Sequence, residues 1–350
     1  MTKNPNKNVF IVGLPTFNWS LDINSGNIAN ALAEYTDFVP YVMVGYDNQT
    51  EFKPHKRIKT FKRRYPDKIF QIFGHFWGCW NAEVALIYKV NEFLKYKWIY
   101  NLFNVKTIRV LGGDPMMGFK DEKSALNHLN LYDRVYPISD YNKKLCLELG
   151  FHQIQNVIPN PINLDKFFAI RKISNEINEV LYIGNNHKWK RAEEYIWLAS
   201  QFKDIVFHVI GGYKDQIDYI NEMLKKYNFP TNVKIHGVVS PHRVSELMKL
   251  SDLHILPSRS EGRPKSAIEA AAAGLPSILF YGYGAEEYIT HQENGILVNT
   301  KEEMKIEFEN LLKKPQLLQK ISKNTLQVAK QFDVNNIIKF YEKEIKNTIN

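Results

Sequence analysis

The stretch from Asp252 to Pro276 constrains the fold more than any other part of the chain, because it spells a strand, a loop and a helix in succession. Ile255 and Leu256 end an apolar run of buried-strand type, and a loop of small residues follows. Pro264 predicts the start of a helix, since proline lacks the N–H that a first helical turn leaves unpaired. Ala267 to Ala273 favour the helix, Gly274 falls where a left-handed cap belongs, and Pro276 makes the stop sharp. A helix N-terminus behind such a loop offers bare N–H groups and a positive dipole end, which suits an anion. Two carboxylates bracket it. Glu261 lies in the loop and Glu269 eight residues later in the helix. Carboxylate oxygens accept from vicinal sugar hydroxyls side by side, so the two could hold two sugars flanking a phosphate group. An exposed Glu beside a first-turn Glu that favours the helix dipole fits the spacing equally.

The same alternation runs through the rest of the chain. Lys7–Gly13 reads as a first strand, with helical spacing of Ile28, Ala31, Leu32 and Tyr35 behind it. Val39–Gly45, Lys68–Phe73, Thr107–Leu111 and Val135–Ser139 read as further strands, the last followed by a helix from Asp140 to Leu149. An irregular linker, roughly Leu164 to Asn178, separates these from a second series. That series has strands at Glu179–Ile183, Val206–Gly211, Asn232–Gly237 and Pro276–Tyr281, helices from Ala192 and at Val244–Leu250, and amphipathic helices from Met304 to Asn350. The expected fold is α/β, two Rossmann-like αβα domains with a cleft between them. The first spans 1–165, with a C-terminal helix at about 334–350 packing back on it, and the second spans 175–333. Polar residues at the carboxyl ends of parallel strands face the ligand crevice of a doubly wound sheet. His75, after the strand at 68–73, is placed in that way. A structural histidine hydrogen-bonded among the aromatics around it is the other reading.

Charge is the compositional feature that matters: 46 basic residues against 37 acidic give +9. Seven of the basic residues fall between Lys53 and Arg64 with no acid among them. Such a patch attracts anionic lipid, nucleic acid or acidic substrates, or is simply a solvated loop or helix face. No nucleic-acid reader motif accompanies it, so nucleic acid is not an expected partner. No apolar run approaches the roughly 18 residues of a membrane span, and no apolar h-region follows Met1. Cys79 and Cys146 make neither a disulfide scaffold nor a metal site, which suits a reducing cytoplasm.

Pro257, Ser258, Glu261, Gly262, Pro264, Glu269, Ala270, Gly274 and Pro276 together resemble the signature of glycosyltransferase family 4, retaining enzymes of the GT-B fold that use sugar nucleotides. The resemblance covers most of the chain, strongly over 232–298 and more loosely over 9–165. It implies that Glu261 contacts the donor sugar and Glu269 the ribose hydroxyls. His75 matches a histidine near donor sugar and acceptor, and Gly26 the second of a glycine pair opening the first helix, with Ser25 in place of the first. Gly112-Gly113-Asp114 resembles a Gly-Ser-Asp of some members. Asp114 is thereby a candidate ligand of the acceptor hydroxyl, or a turn-forming Asp-Pro. The family's diphosphate-binding Gly-Arg and downstream Lys correspond to Gly184, Asn185 and Lys190. The arginine is missing, and Arg191, Arg263 or Lys265 would supply its charge, unless they are exposed helix-end cations. Gly237 and Val238 end a strand that meets the nucleobase through backbone atoms.

The implied function is retaining, hexosyltransferase-type transfer from a nucleotide-diphosphate sugar, UDP-sugar preferred over GDP-sugar, to a glycan, lipid-linked or polymer acceptor in cell-surface polysaccharide or glycoconjugate synthesis. No cofactor is expected. The Asp-x-Asp pair of metal-using transferases does not occur, and Lys190 would neutralise the leaving group instead. The expected placement is cytoplasmic, peripheral on the inner membrane face through residues 53–64. A catalytically inactive sugar-nucleotide or glycan binder and a GT-B-like sugar-nucleotide epimerase are the alternatives.

Overall fold

The computed structural model describes residues 7–13, 20–44, 53–62, 66–168, 171–185, 188–212 and 214–349. The chain divides into two compact units, residues 1–161 with 334–350, and residues 162–333. In the first, β1 (Asn8–Val12), α1 (Ser20–Tyr35), β2 (Val39–Val44), β3 (Lys59–Lys62), α2 (Asp67–Asn81), β4 (Val84–Ile87), α3 (Val90–Leu102), β5 (Lys106–Leu111), α4 (Glu122–Leu129), β6 (Arg134–Pro137) and α5 (Asp140–Glu148) follow in order. The strands form one parallel sheet in the order β3-β2-β1-β4-β5-β6. Helices cover both faces, so runs such as VALI in β4 are buried throughout, as parallel strands require.

The second unit holds α6 (Leu164–Phe168), β7 (Glu179–Ile183), α7 (Ala192–Gln201), β8 (Val206–Ile210), α8 (Lys214–Lys226), β9 (Val233–Gly237), α9 (Pro241–Leu250), β10 (Leu253–Leu256), α10 (Lys265–Ala272), β11 (Ser277–Phe280), β12 (Ile296–Val298), α11 (Lys301–Lys313) and α12 (Pro315–Lys330). Its parallel sheet is ordered β9-β8-β7-β10-β11-β12. Counted from each unit's first strand, the two orders are the same, and both reverse direction between the first and fourth strands. Ligands of such sheets bind at that switch point. The final helix, α13 (Val334–Ile349), packs on α1, β4 and β5 of the first unit.

Several sequence expectations are corrected. Residues 68–73 are not a strand but the start of α2. Phe70, Gly74, His75, Gly78 and Cys79 form its buried stripe, while Ile69, Ile72, Phe73 and Trp80 stay exposed, so no polar stripe marks the helical period. The basic stretch is a loop over residues 53–58, as one reading had it, but not over the rest of its described length. Lys59–Lys62 is the edge strand β3, and outward lysines suit a sheet edge because they discourage further pairing. Within it, Arg57 donates to the carbonyls of Ala33, Thr36, Asp37 and Phe38, closing off the end of α1. Arg63 and Arg64 lie outside the described residues. The first helix begins at Ser20, so Gly26 sits inside it rather than opening it, with its amide among the helical hydrogen bonds. Pro264 is the residue before α10, not its first turn.

Candidate active site

The carboxyl edge of the second sheet collects most of the residues singled out in the sequence. β7 and β10 are neighbours, and the loops after them carry Gly184 to Arg191 and Pro257 to Pro264. Lys190 closes a short 3-10 turn after β7, and its ammonium pairs with the Glu261 carboxylate from the loop after β10, both side chains largely buried. The backbone joins the loops as well. The Trp189 carbonyl accepts from the Arg259 amide at 2.9 Å and from the Ser258 hydroxyl at 3.3 Å. The ion pair therefore bridges the switch point on two tethered loops.

Around this pair the charges are ordered. Lys265 and Glu269 face each other one turn apart on α10, 3.4 Å between ammonium and carboxylate. Arg263, 7% exposed, is held by Glu287 at 2.6 Å and lies over the Phe332 ring, so its charge is already matched. Arg191, the N-cap of α7, pairs with Glu194. Of the three cations considered for the missing arginine, Lys265 is thus the one beside Glu269, as Lys190 is beside Glu261. The main chain at Asn185 is held by the Tyr182 hydroxyl, which donates to its carbonyl at 3.1 Å, and the buried Oδ1 of Asn185 has no hydrogen-bond partner among the described residues. Burial, with the charge of Glu261 next, pushes Tyr182 well above the ordinary phenol range, so it stays a donor. Burial and then Lys190 press His254, beneath the loop in β10, down to about 3, and it stays neutral. Gly237 ends β9 with a positive φ and accepts from the Gly211 amide at 2.8 Å, leaving Val238 exposed beside it. At the end of α10, Gly274 has a φ of 83° and a side chain there would meet the Lys172 carbonyl oxygen at 2.0 Å, so only glycine fits.

The first-unit candidates have different settings. His75 is fully buried in α2. Its Nδ1 lies 2.7 Å from the Tyr100 hydroxyl, Phe10, Tyr96 and Tyr100 surround the ring, and burial drives it down to about 3. That is the setting of a structural histidine among aromatics. The Asp114 carboxylate accepts from the Met116 amide at 2.8 Å and shapes the turn after β5. In the second unit, Gly262 is buried in its loop.

Sequence reading passed over Arg259. Its guanidinium donates to the Asn299 carbonyl at 2.6 Å and lies 4.2 Å over the Phe280 ring, pinning the loop of Glu261 to the ends of β11 and β12. Its one visible signal was its place between Ser258 and Glu261. A lysine and a carboxylate at a sheet edge, before a helix N-terminus, can neutralise a diphosphate and orient hydroxyls.

The family described as "Glycosyl transferases group 1" matches residues 164–328. The chain is 29% identical over 205 residues to the N,N'-diacetylbacillosaminyl-diphospho-undecaprenol alpha-1,3-N-acetylgalactosaminyltransferase of Campylobacter jejuni, covering 53% of each chain. It is 26% identical over 208 residues to the alpha-galactosylglucosyldiacylglycerol synthase of Streptococcus pneumoniae, covering 53% of this chain and 54% of that one. The chain thus spans about half the length of these curated relatives. Among solved structures, Anabaena HepE in complex with UDP-glucose superposes with a TM-score of 0.78 at 15% identity over 97% of this chain and 99% of that one. Sucrose-phosphate synthase from Thermosynechococcus elongatus gives 0.81 at 14%, over 97% and 98%. The shared fold is GT-B.

Proposed function

We propose, from the match of residues 164–328 to the group 1 glycosyl transferases, that the chain is a retaining glycosyltransferase. In this reading it moves a hexose from a UDP-sugar to a lipid-linked or glycan acceptor in cell-surface polysaccharide or glycoconjugate synthesis. The observation that carries the reading is the Lys190–Glu261 pair across the switch point of the second sheet. Lys190 places a positive charge where the departing diphosphate gathers negative charge, and a preorganised donor of this kind contributes about 3 kcal/mol to the transition state. Glu261 orients the donor sugar and Glu269 accepts from the ribose hydroxyls. Two names support the substrate class: HepE was solved with UDP-glucose, and the Campylobacter relative is named for a diphospho-undecaprenol acceptor. Catalysis draws its positive charge from side chains, so transfer survives EDTA. The enzyme works peripherally on the cytoplasmic face of the membrane, with Lys53, Lys56, Lys59 and Lys62 drawn to anionic lipid.

A thermal-shift panel of UDP- and GDP-sugars, followed by steady-state kinetics, tests this. A UDP-sugar at 100 times its Kd adds about 2.7 kcal/mol of stability. Glu269→Gln raises the donor KM, because ribose contacts act alike in ground and transition state, while Glu261→Gln lowers kcat with affinity nearly kept. Wild-type constants in both variants would remove the two-glutamate mechanism.

A further inference from the structure

Helices α2 and α3 leave a broad aromatic face uncovered. On α2, Ile69, Phe73 and Trp80 point outward, with Phe73 57% and Trp80 60% exposed. On α3, Leu94, Trp98 and Leu102 do the same, with Trp98 53% and Leu102 64% exposed. The two stripes are continuous. Phe76 of α2 meets Trp98 edge-on at 5.4 Å and Phe103 at 5.9 Å, and Trp80 meets Phe103 at 5.7 Å. Single exposed apolar residues are ordinary, but a contiguous face of this size marks an interaction surface. Its rim is basic: Lys68 and Lys95 are exposed on the same helices, and β3, with exposed Lys59 and Lys62, lies beside α2 through Phe61 stacked on Phe70 at 5.7 Å and tilted on Trp77 at 5.5 Å.

We infer that this face docks on an anionic lipid bilayer, with the tryptophans seated at headgroup depth. The chemistry favours that occupant. Tryptophan takes the interfacial level, where one part of its ring system is apolar and another wet, and lysines around it meet anionic headgroups. A second copy of the chain, meeting face to face about a two-fold axis, would bring two like-charged rims together. No helix among the described residues is long and apolar enough to cross a membrane, so the contact is with the surface. The inference deepens the membrane part of the proposed function and does not depend on the transfer reaction.

The test is sedimentation of the full chain with phosphatidylglycerol–phosphatidylcholine vesicles and with phosphatidylcholine vesicles alone. The chain is expected on the anionic vesicles, released by salt, with tryptophan emission shifted to the blue. Trp80→Ser combined with Trp98→Ser lowers partition about tenfold or more, from the apolar area no longer buried. Lys68→Glu combined with Lys95→Glu weakens binding and flattens its salt dependence. The UDP-sugar shifts of both variants, each taken from its own unliganded unfolding temperature, stay those of the parent, which separates this result from the transferase reading. Full binding by the tryptophan variant, equal binding to both vesicles, or a parent dimer that the tryptophan variant abolishes would each overturn the inference.

Discussion

The two sheets share one strand order and differ at the place where that order creates a crevice. In the first unit, among the described residues, hydrogen bonds to the backbone tie the strand ends together at that place. The amides of Tyr88 and Lys89, directly after β4, donate to the Val12 carbonyl at the end of β1 at 3.0 and 3.1 Å. The buried Arg109 of β5 donates to the carbonyls of Ile87 and Tyr88. In the second unit, β7 and β10 open into loops whose opposite charges meet across the gap. Topology supplies the location of a site, and the residues just past the strand ends decide whether chemistry occupies it.

The largest expected difference lies in two glycines with positive φ. A side chain at Gly211 would stand 1.9 Å from the Gly184 carbonyl oxygen, whereas one at Gly118 would meet nothing within 4 Å. Gly211→Ala should cost about 4 kcal/mol through a clash that the second sheet cannot relax. Gly118→Ala should cost only the roughly 1 kcal/mol of left-handed backbone. Urea denaturation of both variants gives the ratio, and equal costs would mean that the edge at Gly184 is looser than drawn.

Next comes the contrast in charge. Lys190→Met should lower kcat about 100-fold, as loss of a preorganised donor does. Arg109→Met should leave donor affinity unchanged, since that arginine serves the first crevice. Steady-state kinetics checks the first and calorimetry with the UDP-sugar found in the panel the second, and a donor defect in the Arg109 variant would break the comparison.

Acid should treat the two units alike. His75 in the first and His254 in the second are both pressed from 6.5 down to about 3, so each stays neutral when folded and charges when unfolded. The unfolded chain binds the extra protons below pH 6.5, so stability falls as pH drops from there toward 3, by about 1.4 kcal/mol per pH unit for each histidine. H75Q and H254Q should each flatten the pH dependence of urea denaturation by one proton. The smallest effect is Asn185→Arg, which adds a second cation at the diphosphate and should tighten donor binding by about threefold, a net gain of about 0.6 kcal/mol after repulsion from Lys190. Titration calorimetry is sensitive enough to see it.

Much of this was readable in the sequence where local chemistry and tertiary role agree. The strand Glu179–Ile183, the Ser139 cap, whose hydroxyl accepts from Asn142 before α5, and the cap at Gly274 all follow from residues within a few positions. The Glu261 loop was legible because a strand, small residues and a helix start compress into so short a span. What escaped is non-local. α2 reads as a strand because its outer face is as apolar as its inner one, leaving Ile69-Phe70-Gln71-Ile72-Phe73 without a helical period. β3 reads as a charged surface because an edge strand needs lysines that a central strand would not tolerate. Arg259 and the match of Arg263 with Glu287 depend on which loops the sheet order brings side by side, and no spacing along the chain encodes that.

The return of α13 to the first unit bears on how a ribosome delivers this protein. Ile337, Ile338, Tyr341 and Ile345 fill the same core as Val9, Ile28 and Leu32, and the Tyr136 hydroxyl donates to Glu344 at 2.8 Å. Residues 162–333 emerge as one uninterrupted segment, whereas the N-terminal unit must wait for residues translated after all of them. Synthesis order is therefore inverted relative to completion order. During translation the apolar strip of α1 and β4 needs shelter by chaperones for the time taken to make more than half the chain, at 5–20 residues per second roughly 10–40 seconds.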